Sequence, residues 1–252
     1  MTVKKYKIGL LYPAILFVVF TSVGFSQENI FTAGFQYKPI LPSAFFGTGT
    51  KTVSQKGIDF SIEQDQGVCL GMIVRRGFTK RLSFETGINY TKRLYQLTLN
   101  DTGFTNSSDF KIIGYEIPLQ GLIFLQLAKH LFMNASAGVS VDMYPTNIKS
   151  YNDYFFHFSK RHSLFQFSSL FNTGCEYRTK KSGYFYLGAS YHLPFSYFYN
   201  SSIQYMPDKV ISSIKLSGNY LSLDLRYYFH EEPIKPRVKK KKTASTPNPY
   251  SD

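Results

Sequence analysis

Four charged side chains lie on the polar side of segments in which polar and apolar residues alternate. They are Arg75, Glu85, Glu176 and Arg226. Side chains of one parity point to the same face of a β-strand, so strands that curl around a common interior would bring these four groups together. A buried charge without a partner costs several kcal/mol. We therefore predict one ion cluster, which either fills that interior or provides a path for protons or solutes.

A hydroxyl and an imidazole two residues apart resemble part of a hydrolase site. Ser190 and His192 share one face of an alternating segment, but a serine nucleophile and its histidine base need an acid to orient the imidazole. No such acid is evident beside them. The sequence also lacks metal-ligand spacing, a phosphate loop and a nucleotide fingerprint. We therefore predict a non-enzymatic protein without cofactor or metal, and a lipid-modifying serine hydrolase is the least favoured alternative.

Aromatic residues crowd two of the long connections between alternating segments. Exposed rings can stack on sugars or anchor a partner protein. Such rings also form the girdle at a membrane interface, where Tyr and Phe would replace Trp, which the chain lacks. The girdle is the favoured interpretation. A ligand-binding surface on these loops would use Tyr151, Tyr154, Phe156, Tyr197 and Tyr199.

Period-two alternation runs from residue 30 to residue 229 and predicts β-strands. It is clearest at the end, where Leu221, Leu223 and Leu225 alternate with Ser222 and Asp224. The predicted strands are 30–41, 66–77, 82–97, 110–127, 132–144, 164–178, 184–196 and 214–229. The alternation alone also fits a soluble sandwich or a lipocalin, in which the apolar face points inward.

The lengths of the connections decide between these folds. Short connections at 79–81, 129–131 and 179–183 alternate with long ones at 42–65, 98–109, 145–163 and 197–213. Outer-membrane barrels have this asymmetry, and the polar parity is rich in the small residues that a narrow lumen needs. We predict an all-β, eight-stranded antiparallel up-and-down transmembrane β-barrel with long external loops and short periplasmic turns. Eight strands leave little open lumen, so the ion cluster should plug it.

Proline and cysteine positions give two local predictions. Pro118 cannot donate a ladder hydrogen bond in a barrel without free edges, so we predict a bulge there. Cys69 and Cys175 fall on faces directed to the lumen and to lipid, respectively. We therefore predict two unpaired thiols.

The chain divides into three parts. Lys4, Lys5 and Lys7 precede an apolar run at 8–20, which predicts a signal peptide over residues 1–26; an uncleaved anchor is the alternative, but about 20 residues are needed to span a bilayer as a helix. Residues 27–230 form the barrel. Residues 231–252 are rich in Pro and Lys and predict a flexible basic periplasmic tail.

Charge and location together exclude a nucleic-acid partner. Of the net charge of +13, the signal carries +3 and the tail +3, and an exported protein does not meet nucleic acid. We predict the outer membrane of a Gram-negative bacterium, with both mature termini in the periplasm. The expected partners are outer-membrane lipid, an envelope protein, and the barrel-assembly machinery, which would read Leu225, Tyr227 and Phe229 as an assembly signal.

Three segments carry a family resemblance. They are 115–119 (Tyr-Glu-Ile-Pro-Leu), 174–178 (Gly-Cys-Glu-Tyr-Arg) and 221–229 (Leu-Ser-Leu-Asp-Leu-Arg-Tyr-Tyr-Phe). The chain resembles the PorT-like outer-membrane β-barrel family of Bacteroidota over residues 27–230. The resemblance implies the barrel architecture and an accessory role in surface-protein secretion. We therefore expect a structural or accessory protein of the envelope, and a surface ligand-binding module is the alternative.

Overall fold

The computed structural model describes residues 31–42, 47 and 49–230. The predicted signal peptide and the predicted tail lie outside the described residues. The strands are β1 (Phe31–Leu41), β2 (Lys51–Gln55), β3 (Ile58–Gly77), β4 (Leu82–Asp101), β5 (Phe104–Gln126), β6 (Leu131–Met143), β7 (Ile148–Tyr151), β8 (Phe155–Arg161), β9 (Phe165–Arg178), β10 (Tyr184–Pro194), β11 (Tyr199–Tyr205), β12 (Val210–Leu216) and β13 (Tyr220–Tyr228). Within this part of the chain, no helix is long and apolar enough to cross a membrane.

Eight of these strands pair side by side in a ring. The order is β1-β13-β10-β9-β6-β5-β4-β3, and β1 also pairs with β3. Each pairing is antiparallel, which confirms the predicted eight-stranded up-and-down β-barrel. The short connections 78–81, 127–130 and 179–183 lie at the end that also holds the start of β1 and the end of β13. We call this the turn end, and the opposite end the loop end.

The alternation has the direction that a barrel in lipid requires. On β13 the apolar side chains of Leu223 and Leu225 are exposed, whereas Ser222 and Asp224 are buried. A membrane barrel exposes its apolar parity to lipid and keeps its polar parity in the lumen. A soluble barrel would have the reverse arrangement, so the exposed apolar face supports the transmembrane assignment.

The four long connections lie at the loop end, and their described residues include strands that were not predicted. β4 and β5 continue until only Thr102 and Gly103 separate them, and β3 begins at Ile58 instead of near residue 66. The other two long connections hold β7 with β8 and β11 with β12. Many outward-facing residues of these strands are polar, so they carry a weaker apolar signal than a strand that crosses lipid.

These additional strands form a second layer, which we call the cap. One side of the cap is β2 with the segments of β3, β4 and β5 at the loop end, and the other is the sheet β12-β11-β8-β7. The sheets meet at their edges, with β12 beside β2 and β7 beside β5. Between them lies a hydrophobic core that includes Phe60, Leu97, Phe155, Phe198 and Ile203.

A bulge in β3 lets one strand serve both layers. Gln64 pairs with Tyr95, but Gly67 pairs with Arg93, so β3 holds one extra residue between these two pairs. The buried parity therefore changes from even numbers in the cap to odd numbers in the barrel. A bulge inserts an unpaired residue and bends the strand.

The bulge predicted at Pro118 is absent from the described strands, so that prediction is wrong. The β4–β5 pairing omits Ile117 and Pro118, yet it resumes in the same register at Glu116. Pro118 faces Ser140 of β6 in an unshifted ladder. Losing one donor therefore interrupts the ladder without displacing it.

Cys69 is buried, Cys175 is exposed, and both are free, which confirms the predicted unpaired thiols.

Candidate functional site: the barrel lumen

The four charged residues predicted to form a cluster are joined in one network at the turn end of the lumen. Arg75 Nη1 lies 2.5 Å from Glu176 Oε2, and Arg75 Nη2 lies 3.1 Å from Glu85 Oε2. Arg226 Nη1 lies 2.6 Å from Glu85 Oε1. All four side chains are buried. We call this group, with Arg178, which lies 2.6 Å from Glu176, the floor cluster.

The floor cluster crosses the whole lumen. Arg75 is on β3 and Glu176 is on β9, and four steps separate these strands in either direction around the ring of eight. Their ion pair therefore connects opposite walls. The phenol of Tyr228 donates to Glu85 at 2.6 Å, and its ring lies 3.8 Å from the Arg75 guanidinium carbon. A guanidinium with both carboxylate and ring contacts is held in one position.

A second group of polar contacts surrounds Asp224. Its Oδ2 atom lies 2.6 Å from Arg226 Nη2 and 3.5 Å from Lys38 Nζ. Ser190 donates to the same oxygen at 2.5 Å and Asn172 donates at 3.0 Å. Ser190 is thus hydrogen-bonded to a carboxylate on the neighbouring strand. Its predicted partner, His192, contacts different acids.

Those acids are Glu116 and Asp142, which lie nearer the loop end. His192 Nε2 is 3.0 Å from Asp142 Oδ2 and 3.5 Å from Glu116 Oε2. The His192 ring stacks on Tyr220, with ring centroids 4.5 Å apart. Tyr220 on β13 donates to Glu116 on β5 at 2.8 Å, which is a second contact between opposite walls. These groups were not predicted as a site, because strand register and not sequence spacing brings them together.

Arg93 separates the polar lumen from the apolar core of the cap. Its guanidinium donates to the Gly218 carbonyl at 2.7 Å and to the Tyr144 hydroxyl at 2.9 Å. The guanidinium carbon also lies 4.8 Å from the Phe198 ring and 4.7 Å from the Tyr220 ring. Rings from the cap and from the barrel thus enclose one buried cation, and the lumen is filled at this level as well.

The aromatic residues predicted for loop binding are divided by the structure. Tyr199 is buried in the core of the cap, where it donates to the Thr146 carbonyl at 2.6 Å and where burial raises its pKa to about 12. Phe156 and Tyr197 are half-buried. Tyr151 and Tyr154 are exposed, and the Tyr154 ring lies 4.7 Å from Phe104.

A buried histidine stands in the cap. His157 contacts Ser150 Oγ at 3.0 Å through Nδ1 and Ser159 Oγ at 2.7 Å through Nε2. Burial lowers its pKa to about 4, because the charged form loses its hydration. The imidazole is therefore neutral at neutral pH.

The three residues of the predicted assembly signal lie on the outer face at the turn end. Leu225 and Phe229 are exposed to the barrel exterior. The rings of Tyr227 and Phe229 are 5.5 Å apart, and Phe229 also lies 5.6 Å from Phe35 of β1. This aromatic group spans the junction between the first and last strands of the ring.

No protein-family model and no curated protein matches the chain. Solved structures do match. The outer membrane protein OprG of Pseudomonas aeruginosa superposes with a TM-score of 0.52 at 11% identity over 82% of this chain and 98% of that one. The outer membrane protease OmpT of Escherichia coli covers 82% of this chain and 97% of its own, at 9% identity and a TM-score of 0.33. The similarity to OprG establishes the fold, which is that of outer-membrane β-barrel proteins.

Proposed function

We propose that this protein is an integral outer-membrane barrel with a structural or accessory role, in which a filled barrel holds the cap at the membrane surface. The observation that supports this function best is the pair of contacts between opposite walls, Arg75 with Glu176 and Tyr220 with Glu116. Side chains that bridge the full width at two levels leave little room for a solute path. The surface that contacts other envelope components is then the cap.

The proposed topology has the turn end in the periplasm and the cap outside the cell. Bacterial outer-membrane barrels have short periplasmic turns and long external connections, and the basic tail at 231–252 would follow β13 into the periplasm. In this arrangement the tail and the cap contact envelope components on opposite sides of the membrane. The resemblance to PorT-like proteins supports an accessory role in the secretion of surface proteins. Lipid, the barrel-assembly machinery and an envelope protein are the proposed partners.

Surface labelling tests the topology. In a Cys175→Ser, Cys69→Ser background, one cysteine is introduced at Thr102 in the cap or at Lys180 at the turn end. Intact cells treated with a membrane-impermeant maleimide should label the Thr102 variant only, and lysed cells should label both. Labelling of the Lys180 variant alone in intact cells would reverse the topology.

Conductance measurements test the filled lumen. Wild-type protein in a planar bilayer should show no stable channel, and a double Arg75→Ala, Glu176→Ala variant reports whether the floor cluster contributes to closure. Stable single-channel currents from the wild type would contradict the proposal.

Crosslinking tests for a protein partner of the cap. A photoreactive residue at Ser107, on the outer face of the cap, should capture the partner, and one at lipid-facing Ile123 is the control.

The proposal includes the absence of enzymatic activity. Ser190 donates to Asp224, and His192 contacts Asp142, so no described contact joins the hydroxyl to the imidazole. A serine hydrolase needs that contact for proton transfer. Lipid A analysed by mass spectrometry from cells that overproduce wild type and Ser190→Ala should be identical. A modification present only with the wild type would establish an enzyme.

A surface ligand-binding module is the second candidate. The contact between Tyr154 and Phe104, beside the 69% exposed Tyr151, supports it, because exposed ring groups bind sugars and peptides. A glycan or peptide array should lose its signal with Tyr151→Ala, Tyr154→Ala and keep it with Tyr199→Phe. Equal signals from both variants would remove this candidate.

A further inference from the structure

We propose that Glu116, Asp142 and His192 bind one divalent first-row transition-metal ion, such as Zn²⁺ or Mn²⁺, inside the barrel. One ligand atom from each residue lies within 4.8 Å of the others. His192 Nε2 is 3.0 Å from Asp142 and 3.5 Å from Glu116. Bonds of about 2.0–2.2 Å to a tetrahedral or octahedral ion place neighbouring ligand atoms about 3.0–3.5 Å apart. The two separations from His192 therefore suit one ion, and Glu116 and Asp142, whose ligand atoms lie within 4.8 Å of each other, would close on it.

The charges around the three residues favour a cation. Lys38 and Arg226 pair with Asp224, and the remaining guanidinium groups of the floor cluster pair with Glu85 and Glu176. Among the described residues, Glu116 and Asp142 form ion pairs with His192 and with no Lys or Arg. Arg93 borders the site and interacts electrostatically with Asp142, and its described hydrogen bonds run to Gly218 and Tyr144.

A divalent ion matches the charge of the two carboxylates. Bound to Nε2 of a neutral imidazole, it supplies two positive charges against Glu116 and Asp142. The imidazole proton is then on Nδ1, an atom that is buried and has no hydrogen-bond partner in the described part of the chain. Charge and the positions of the ligand atoms therefore favour the ion.

Neighbouring side chains hold the three ligands in place. Asn89 and Tyr220 each donate to Glu116 at 2.8 Å, and Ser140 donates to Asp142 at 2.8 Å. Such bonds orient metal ligands and raise affinity. An imidazole with carboxylates suits transition ions, whereas Mg²⁺ and Ca²⁺ prefer oxygen ligands alone. The donor set thus selects the class of ion.

Metal content after refolding tests this site. The full chain without a polyhistidine tag is refolded from urea into detergent with Zn²⁺ or with Mn²⁺, freed of excess metal and analysed by mass spectrometry of the elements. The wild type should retain about one ion per chain. The Glu116→Gln and His192→Gln variants should each retain less than about a tenth of the wild-type metal content. The matched control His157→Gln removes a buried histidine of the cap and should keep the wild-type content.

Two results would overturn the site. One is a wild type that retains less than about a tenth of an ion per chain with either metal. The other is equal metal content in the wild type and in both ligand variants. Unheated gel mobility shows whether each variant is folded. If a variant fails to fold, Co²⁺ added to the refolded wild type decides. A visible spectrum that differs from that of aqueous Co²⁺ supports the site, and a spectrum identical to it excludes the site.

Discussion

The barrel and the cap share β3, β4 and β5, and the two layers have opposite polarity. In the barrel segment of β5, Ile117 and Leu119 face outward and Glu116 faces inward, whereas in the cap segment Lys111 faces outward and Phe110 inward. The parity of the strand does not change along its length. In the barrel segment the apolar residues occupy the outward-facing positions, and in the cap segment they occupy the inward-facing ones.

This inversion reflects the medium outside each segment. A wall in lipid must be apolar on the outside, so polar groups collect in the lumen, where they must satisfy one another. A wall in water can bury apolar side chains inside and expose polar ones. The change occurs near Arg93 and Tyr144, and we expect the strands to leave the membrane at this level.

Breaking the floor cluster should have the largest effect. Glu176→Ala leaves Arg75 and Arg178 without their shared carboxylate, and removing one partner of a buried ion pair costs about 3–5 kcal/mol. The urea midpoint for loss of the heat-modifiable gel band should fall accordingly. Glu63→Ala, at an exposed position of β3, is the matched control. Equal midpoints for the two variants would show that the cluster contributes little to stability.

Opening a cavity in the cap should have a smaller and local effect. Leu97 is fully buried in the apolar core, and a buried Leu→Ala change costs about 3 kcal/mol. We expect protease cleavage in the cap while the heat-modifiable barrel persists. Simultaneous loss of both would mean that the cap and the barrel unfold as one unit.

Adding a charge to the two outer faces of β5 compares them directly. Leu119→Arg places the charge against lipid and should cost about 2–3 kcal/mol. Ser107→Arg places it on the water-facing surface of the cap and should change stability by less than about 0.5 kcal/mol. The measurement is the urea midpoint in lipid vesicles, and similar shifts for both variants would contradict the boundary between the layers.

Acid should loosen the cap before the barrel. The pKa of His157 is lowered to about 4 from 6.5, so the unfolded cap binds a proton at a higher pH than the folded one. Stability from the neutral imidazole is present above pH 6.5 and is lost as the pH falls toward 4. Between pH 7 and pH 5 the loss is about 2 kcal/mol, visible as faster protease cleavage of the cap. His157→Gln should flatten this dependence, and an unchanged slope in that variant would assign it to another group.

The sequence predicted the barrel much better than the cap. Alternation on β13 and the spacing of short turns were sufficient for the ring of strands and for the side that Arg75, Glu85, Glu176 and Arg226 face. The cap was missed because Ser107 and Asp109 made the outward parity of β5 polar before residue 110, which is typical of a loop. His192 was left without its acids because Glu116 and Asp142 reach it only through the register of three strands.

The composition of the cap also sets an order of folding events. β2, β7, β8, β11 and β12 come from three connections that are far apart in the chain, and their common core exists only after the strands between them have paired. Contacts between distant residues form slowly because loop closure must precede them. We therefore expect the cap to assemble last, and a chain stalled during insertion would then present the apolar residues of this layer to water and to chaperones.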